Sequence, residues 1–374
     1  MTSKRRAEAV WVPSHEYWQV KVQKDGERRP FTSKLTGRKG KHEAEAKADA
    51  WLKEETVDMR FPAAWELFMQ EQRSRTGRSN IIKHEQYYKN FIAPVIKVRK
   101  VSTITPIHWQ RCIDAAGQKG LSERTCMNVR ASISAFVSFA LRARWDIQRL
   151  EKGDLKIPRN AAPKKEKIVL QPDDIRTLFT DPYFPHYGKP VFAHYIYAWR
   201  FMVATGLRRG ELCGLKQSDI VGNTLTIRRS INSLGEITDG KNRNARRTIE
   251  LSATAMKALD DQRDYLEENG FESEWLFPDT EGDTPDPNQM YDHWATYRKH
   301  HGIRSSLHEL RHTFISLNKA DMPLELMKAM VGRSAGMDTF AVYGHEVEGD
   351  RHRAARIVDS VFDDILKNES REDG

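Results

Sequence analysis

A short break in the pattern of the chain, at residues 161–167, limits the folds that this sequence can adopt. The residues read Ala-Ala-Pro-Lys-Lys-Glu-Lys, so the stretch carries a proline, is strongly charged and has no hydrophobic periodicity, as is typical of a linker. A chain of 374 residues is also too long for one ordinary hydrophobic core. We therefore predict a multidomain protein with domains at 1–57, 58–160 and 161–374.

The first segment, residues 1–57, predicts a small basic β-sheet backed by one helix. Residues 1–41 hold eleven Lys or Arg against four Asp or Glu, an excess of seven positive charges. Residues 18–22 alternate apolar and polar side chains as a strand does, and the Asp-Gly step at 25–26 favours a hairpin turn. From Lys41 the sequence changes to strong helix formers. The cations of this segment predicted to contact a polyanion are Arg28, Arg29, Arg38 and Lys39.

The second segment, residues 58–160, predicts an all-α domain. Phe61-Pro62 places a proline where a helix begins, and Ser122-Glu123 opens a run with apolar residues at helical spacing. Basic residues recur on the opposite side, a pattern that by itself indicates only a solvated face. The cations of this segment predicted to contact a polyanion are Lys83, Lys97, Arg99, Arg124 and Arg130.

The charge balance favours a polyanionic partner. The formal net charge is +9 and the isoelectric point is about 9.3, and contacts between cations and phosphates release counterions and so drive binding. No apolar region follows the basic N-terminus, so we expect no secretory signal and a cytoplasmic location. The apolar stretch from Val191 to Leu207 is interrupted by polar residues and predicts a buried helix rather than a membrane span.

Three motifs in the last segment carry chemistry. They are Thr205-Gly206-Leu207-Arg208-Arg209-Gly210-Glu211-Leu212, His308-Glu309-Leu310-Arg311-His312-Thr313 and Asp338-Thr339-Phe340-Ala341-Val342-Tyr343-Gly344-His345. An arginine offers a planar fork of donors that matches two phosphate oxygens, and a tyrosine hydroxyl can act as a nucleophile. Together with a histidine, these groups can break a phosphodiester through a protein–phosphate bond without a metal.

In order and spacing, these motifs resemble those of the tyrosine recombinase (phage integrase) family. The resemblance covers residues 165–345 and 60–160, and the basic N-terminal segment is similar to the arm-binding domain of lambda-type integrases. It implies a small β-sheet-plus-helix domain, an all-α core-binding domain and a mixed, mainly α catalytic domain with a small antiparallel sheet.

The resemblance also implies a role for individual residues. The implied catalytic residues are Arg208 and Arg311 as phosphate ligands, His308 for proton transfer, Lys241 as the acid for the leaving oxygen, and Tyr343 as the nucleophile. Lys241 lies eight residues before Ile249, in a predicted hairpin whose strands are 224–227 and 246–251. Independently of the resemblance, Glu211 lies three residues after Arg208, on the same helical face, where it can orient Arg208 or form a purely structural salt bridge. His312 is given a packing role.

One position departs from the family pattern. Where the family usually shows Leu-Gly-His, this chain reads Val331-Gly332-Arg333. An arginine can still donate to a phosphate oxygen, so Arg333 is included among the catalytic residues, with a slower or partly defective enzyme left open. Three further cations of the predicted hairpin are assigned to phosphate contacts: Arg243, Arg246 and Arg247.

The predicted function is site-specific recombination through a 3′-phosphotyrosyl intermediate, for integration or excision of a mobile element. The implied partners are double-stranded DNA attachment sites, a homotetramer on DNA, and host DNA-bending and directionality factors. No metal, other cofactor or membrane is expected. A topoisomerase of type IB and a catalytically impaired DNA-binding relative are the alternatives.

The C-terminal segment carries an apolar stripe at helical spacing, formed by Ile357, Val361 and Ile365 with Val358, Phe362 and Leu366 beside them. Such a stripe can pack on its own domain or dock on a neighbouring protomer. The resemblance favours the second arrangement, in which the last helix is exchanged between subunits.

Overall fold

The computed structural model describes residues 7–24, 27–53, 58–163, 166–186, 188–239, 246–332 and 349–367. The chain divides into two compact units, 1–165 and 166–374, and this division falls inside the predicted linker. The amide of Ala162 still donates to the Leu121 carbonyl, at 2.9 Å, so the chain leaves the first unit later than predicted.

The N-terminal sheet consists of three antiparallel strands, in the order β1-β2-β3, with one helix packed on it. The elements are β1 (Val10–Val12), β2 (Tyr17–Lys24), β3 (Glu27–Ser33) and α1 (Gly37–Lys53). Val20 lies opposite Phe31 in the register, and its side chain is buried with Ala44 of the helix. The predicted strands and helix are confirmed, whereas β1 was not predicted because three residues before a proline show no periodicity.

The rest of the first unit is all-α, as predicted. Its elements are α2 (Phe61–Arg75), α3 (Arg78–Tyr87), a π-helical turn (Tyr88–Ile92), α4 (Ala93–Ile96), α5 (Pro106–Gln118) and α6 (Glu123–Arg142). Ser122 caps α6 by accepting a hydrogen bond from the Thr125 amide, at 3.2 Å. The helices enclose a separate core in which Phe61, Trp109 and Phe136 are fully buried.

The second unit is mainly α-helical. Its helices are α7 (Pro172–Thr180), α8 (Ile196–Thr205), α9 (Arg209–Cys213), α10 (Ala253–Glu268), α11 (Pro287–His300), α12 (Glu309–Asn318), α13 (Leu324–Val331) and α14 (Asp350–Lys367). Every residue of the helix α8 except Tyr197 is buried, because apolar residues occur on all of its faces. It begins at Ile196, so the predicted start near Val191 is wrong.

Short strands accompany these helices. They are β4 (Tyr183–His186), β5 (Lys189–Phe192), β6 (Ile220–Val221), β7 (Thr224–Ile227), β8 (Ser230–Ile231), β9 (Ile237–Thr238) and β10 (Arg247–Glu250). The antiparallel pair β7 and β10 places Leu225 opposite Ile249, which confirms the small sheet predicted for this domain. Between the two predicted strands of this hairpin, the structure adds a second antiparallel pair, β8 with β9.

The C-terminal helix α14 packs on its own unit. Val358 and Phe362 are fully buried, and the Phe362 ring lies 5.6 Å from that of Phe179 on α7, centroid to centroid. From the resemblance we predicted that this apolar stripe packs on a neighbouring protomer. In the structure of the single chain it packs on α7 and α10 of its own unit. None of the helices in the described ranges is both long and apolar enough to cross a membrane.

Candidate active site

The first arginine of the site lies in the turn between α8 and α9. Gly206 ends α8 with a φ of +67°, a conformation that favours glycine. A Cβ atom there would also lie 2.5 Å from a ring carbon of Phe314 on α12. Both the positive φ and the close approach of Phe314 therefore require glycine at this position. The turn leads the chain through Arg208 into α9.

Arg208 is held on one side by protein groups and remains open on the other. Its Nη1 donates to Oε1 of Glu211 at 2.5 Å, its backbone amide donates to Oε2 of the same carboxylate at 3.0 Å, and its Nη2 donates to the Gly332 carbonyl at 3.0 Å. The side chain is 40% exposed. A guanidinium fixed in this way can still present donors to an anion from solvent.

Arg311 lies on α12 and is buried. Its Nη1 donates to the Gly206 carbonyl at 2.7 Å, and its Nη2 donates to the Val331 carbonyl at 2.5 Å. Arg208 and Arg311 therefore bond to the neighbouring carbonyls of Gly332 and Val331, at the C-terminal end of α13. Two motifs that are distant in sequence meet at one helix end, where carbonyl oxygens carry partial negative charge.

His308 precedes α12 and is exposed. Its ring stands edge-on to that of His312, with 5.2 Å between centroids. Partial desolvation and the positive charge of Arg311 hold the pKa of His308 below its ordinary value. Further positive charges act in the same direction, those of Lys167, Arg208 and Arg209. The imidazole is therefore neutral at neutral pH and can accept a proton.

Glu211 is the buried acid of the site, with a side chain that is 4% exposed. Burial raises the pKa of Glu211, but hydrogen bonds and charge from Arg247, followed by those from Arg208, outweigh burial and hold it below the ordinary value. Arg247 donates to this carboxylate from Nη2 at 2.9 Å and from Nη1 at 3.2 Å. The carboxylate thus joins two arginines that are far apart in sequence.

Comparisons with known proteins identify relatives of this chain. Residues 169–348 match the model of the phage integrase family. These residues therefore form a domain of this family of tyrosine recombinases. A XerC-like tyrosine recombinase of Caldanaerobacter subterraneus subsp. tengcongensis is 25% identical over 315 residues, which span 76% of this chain and 78% of that protein.

Two solved structures share the fold of this recombinase. The integrase of the Tn1549 transposon, in complex with transposon right end DNA, is 19% identical, with a TM-score of 0.60 over 78% of this chain and 97% of that chain. A lambda integrase tetramer bound to a Holliday junction is 14% identical, with a TM-score of 0.57 over 92% of this chain and 99% of that chain. The second match extends the likeness to most of this recombinase, which has the multidomain fold predicted from its sequence.

The structure does not place Arg247 where a DNA contact was predicted. Its side chain is only 8% exposed and is directed at Glu211, whereas that of its neighbour Arg246 is 64% exposed. The sequence already indicated that Arg247 is buried. Successive side chains of a strand lie on opposite faces, so Arg247, two residues before the buried Ile249 in β10, lies on the same face as Ile249. We therefore remove Arg247 from the DNA contacts and keep Arg246.

The other predicted DNA contacts of the recombinase are distributed as follows. Those with exposed side chains are Arg28, Arg29, Arg38, Lys39, Lys83, Lys97, Arg99 and Arg124. Arg130 is half-buried, and its Nη1 donates to the Leu155 carbonyl at 3.4 Å, so this cation is partly engaged within its own domain. Lys97 has a φ of +57°, an uncommon conformation for a residue with a side chain.

Four predicted residues of the recombinase lie outside the described ranges. They are the proposed acid Lys241, its neighbour Arg243, the atypical Arg333 and the proposed nucleophile Tyr343. The described part of the site consists of Arg208, Arg311, His308 and Glu211, to which the structure adds Arg247. It also adds backbone carbonyls, which no side-chain pattern reveals.

Proposed function

We propose that this recombinase cleaves and rejoins DNA strands at specific sites through a 3′-phosphotyrosyl intermediate, and that it integrates or excises a mobile element. The observation that carries the proposal is the pair of arginines, Arg208 and Arg311, anchored on successive carbonyls beside His308. Anchored cations that need no rearrangement during the reaction are well suited to stabilise charge that develops on a phosphate.

In the proposed reaction, the hydroxyl oxygen of Tyr343 attacks the scissile phosphorus. A bond forms between this oxygen and phosphorus, and the bond between phosphorus and the 5′-oxygen breaks. The neutral imidazole of His308 takes the tyrosine proton, and Lys241 gives a proton to the departing 5′-oxygen. The free 5′-hydroxyl of a partner strand then attacks the phosphotyrosine and reverses these steps.

The two arginines have complementary parts in this scheme. Arg208, which is partly exposed, binds the phosphate from the solvent side of the site. Arg311, which is buried, is proposed to bind the phosphate from the interior of the site, anchored by the carbonyls of Gly206 and Val331. Arg333 is proposed as an additional donor to a phosphate oxygen, in place of the histidine that is usual in the family.

The remaining parts of the chain are proposed to bind DNA. The N-terminal sheet and helix would bind arm-type sites, and the all-α domain would contact core sites through phosphates, which give register rather than base readout. The matched lambda integrase is a tetramer bound to a Holliday junction, and a homotetramer on double-stranded attachment sites is proposed for this chain as well. Host DNA-bending and directionality factors are proposed partners, in the cytoplasm of a bacterial host.

An exchange of α14 between protomers belongs to the same proposal. It would require the cis contacts of Val358 and Phe362 to open and to be re-formed on a neighbouring subunit. The cost and the gain would then be nearly equal, since the same surfaces are buried before and after the exchange.

Covalent trapping tests the proposed function. The full chain would be mixed with duplexes that span the junctions of its own mobile element, nicked so that the cleaved strand escapes, and then resolved under denaturing conditions. An adduct with the parent and none with Tyr343→Phe supports the proposal. An adduct with Tyr343→Phe contradicts it.

Two other outcomes would favour the alternative functions. Relaxation of supercoiled plasmids that lack paired sites would indicate a type IB topoisomerase. Salt-dependent DNA binding with no adduct from the parent would indicate a catalytically impaired relative.

A further inference from the structure

Three consecutive carbonyls at the C-terminal end of α13 each accept a hydrogen bond from a different arginine. Met330 accepts from Nε of Arg247 at 2.6 Å, Val331 from Nη2 of Arg311 at 2.5 Å, and Gly332 from Nη2 of Arg208 at 3.0 Å. We call these three carbonyls the carbonyl row. A helix C-terminus leaves its last carbonyls without helical partners, so the row offers acceptors at fixed spacing.

Arg247 is the member of this group that also satisfies Glu211 most fully. It donates to both carboxylate oxygens, while Arg208 reaches the same carboxylate with Nη1 and its backbone amide. Arg247 acts on the pKa of Glu211 more strongly than Arg208 does. The shared carboxylate therefore has one buried arginine and one partly exposed arginine as partners.

We propose that Arg247 is a positioning residue of this active site, which ties Glu211 to the carbonyl row and so keeps Arg208 oriented toward the scissile phosphate. This inference rests on the proposed function, because it concerns how the proposed phosphate ligand is held. Arg247 itself touches neither DNA nor the reacting atoms.

The physical argument concerns a buried charge that would lose a partner. Without Arg247, the carboxylate of Glu211 keeps its charge in a site that water hardly reaches, and a buried charge without its partner is unfavourable. Arg208 is the remaining described cation within reach, so it turns further toward Glu211 and away from the solvent side. The Met330 carbonyl loses its donor at the same time, which loosens the end of α13 that also holds Arg208 and Arg311.

A displacement of this kind acts on the rate of cleavage and not on DNA affinity. Misplacing a catalytic group by about 1 Å can cost on the order of 100-fold in rate. We therefore expect Arg247→Gln to slow adduct formation about 100-fold at saturating DNA. The affinity for DNA and its dependence on salt are expected to remain those of the parent.

The neighbouring residue provides a matched control. Arg246 immediately precedes β10, and its side chain is 64% exposed, with Nη2 3.4 Å from Oδ2 of the exposed surface residue Asp239. If it contacts a phosphate, Arg246→Gln reduces the salt slope of binding by about 0.9, a change that Arg247→Gln is not expected to produce. Both variants would be compared as full chains, by single-turnover adduct formation on nicked junction duplexes and by DNA titration at several salt concentrations.

A double substitution distinguishes positioning from a general structural role. If Arg247 acts through the charge of Glu211, the loss caused by Arg247→Gln becomes smaller in a Glu211→Gln background. Arg247→Lys keeps the positive charge but not the planar fork, so its rate is expected between those of the parent and Arg247→Gln. If Arg247→Gln fails to fold at the assay temperature, Arg247→Lys decides by the same readouts of rate and salt slope.

The outcomes separate the two proposals. If the parent forms an adduct through Tyr343, and Arg247→Gln forms it at the parental rate or shows a smaller salt slope, the positioning role is overturned while the proposed function stands. If the parent forms no adduct, or Tyr343→Phe forms one, the proposed function fails and this inference fails with it.

Discussion

The carboxylate of Asp359 in α14 accepts a hydrogen bond from the backbone amide of Thr254, at 3.0 Å, in the first turn of α10. The other carboxylate oxygen accepts from the amide of Ala253 at 2.9 Å. A helix begins with amides that have no helical partner. Asp359 of α14 therefore supplies part of the N-terminal cap of α10. This contact fixes α14 to its own catalytic unit together with the buried Phe362.

Replacement of Asp359 by alanine should destabilise the second unit. The lost cap costs about 1 kcal/mol, which in a unit of this size lowers Tm by roughly 2–4 °C. Asp363→Ala is the control, because Asp363 pairs with Lys367 on the surface of the same helix. Differential scanning calorimetry would compare the two variants, and equal melting temperatures would contradict the capping role.

Loss of the buried ion pair between Asp219 and Arg229 should lower the free energy of unfolding more than loss of the Asp359 cap does. Asp219 is 2% exposed and binds Nη1 of Arg229 at 2.6 Å. Removing one partner of a buried pair costs about 3–5 kcal/mol, so we expect that loss in Arg229→Ala. Arg228 reaches the same carboxylate at 3.4 Å but is mostly exposed, so Arg228→Ala should cost less than about 1 kcal/mol. Urea unfolding measures both, and a reversed order would refute the assignment.

The rate of adduct formation should depend on pH through His308. Its pKa lies below the ordinary value, so the neutral, proton-accepting form dominates at neutral pH and is lost only as pH falls through that lowered pKa. We expect a plateau near neutrality and an acid limb that is absent in His308→Gln.

The exposed Lys167 provides a second readout of the same titration. Its charge is one of those that lower the pKa of His308, so Lys167→Gln should raise that pKa and move the acid limb to higher pH. Single-turnover rates between acidic and neutral pH measure the position of this limb. An acid limb that stays in place in Lys167→Gln, or persists in His308→Gln, would assign it to another group.

The N-terminal cations should act on arm-type DNA only. Arg28→Ala combined with Arg29→Ala should weaken binding to arm-site duplexes and reduce the salt slope by about 2, because both side chains are exposed. Cleavage of a short core-site duplex should be unchanged. Lys41→Ala serves as the control, since Glu8 already engages that ammonium group at 2.9 Å. Equal binding by the double variant and the parent would exclude an arm-binding role for these arginines.

Local patterns predicted much of this molecule. The alternation in β7 and β10 and the serine that opens α6 are each readable from a few neighbouring residues. The division of the chain near residue 165 lies where one sequence pattern replaces another.

Non-local contacts could not be predicted in the same way. Whether α14 packs on its own unit depends on whether that unit offers a complementary apolar surface. Residues distant in sequence provide it, such as Phe179 on α7, which contacts Phe362. The carbonyl row consists of backbone atoms, which every residue has, so no residue type marks it. Arg246 and Arg247 were both assigned to DNA contacts, although the alternation of the strand about Ile249 separates the exposed cation from the buried one.

The packing of Gly206 against the helix α12 has a consequence for protein engineering. The Gly206 carbonyl accepts a hydrogen bond from Arg311, and its α-carbon faces the ring of Phe314 with no room for a methyl group. The two arginine motifs therefore pack directly against each other, although Gly206 and Arg311 are 105 residues apart in the sequence. A chimaeric enzyme that takes residues 205–212 from one relative must take residues 308–314 from the same relative.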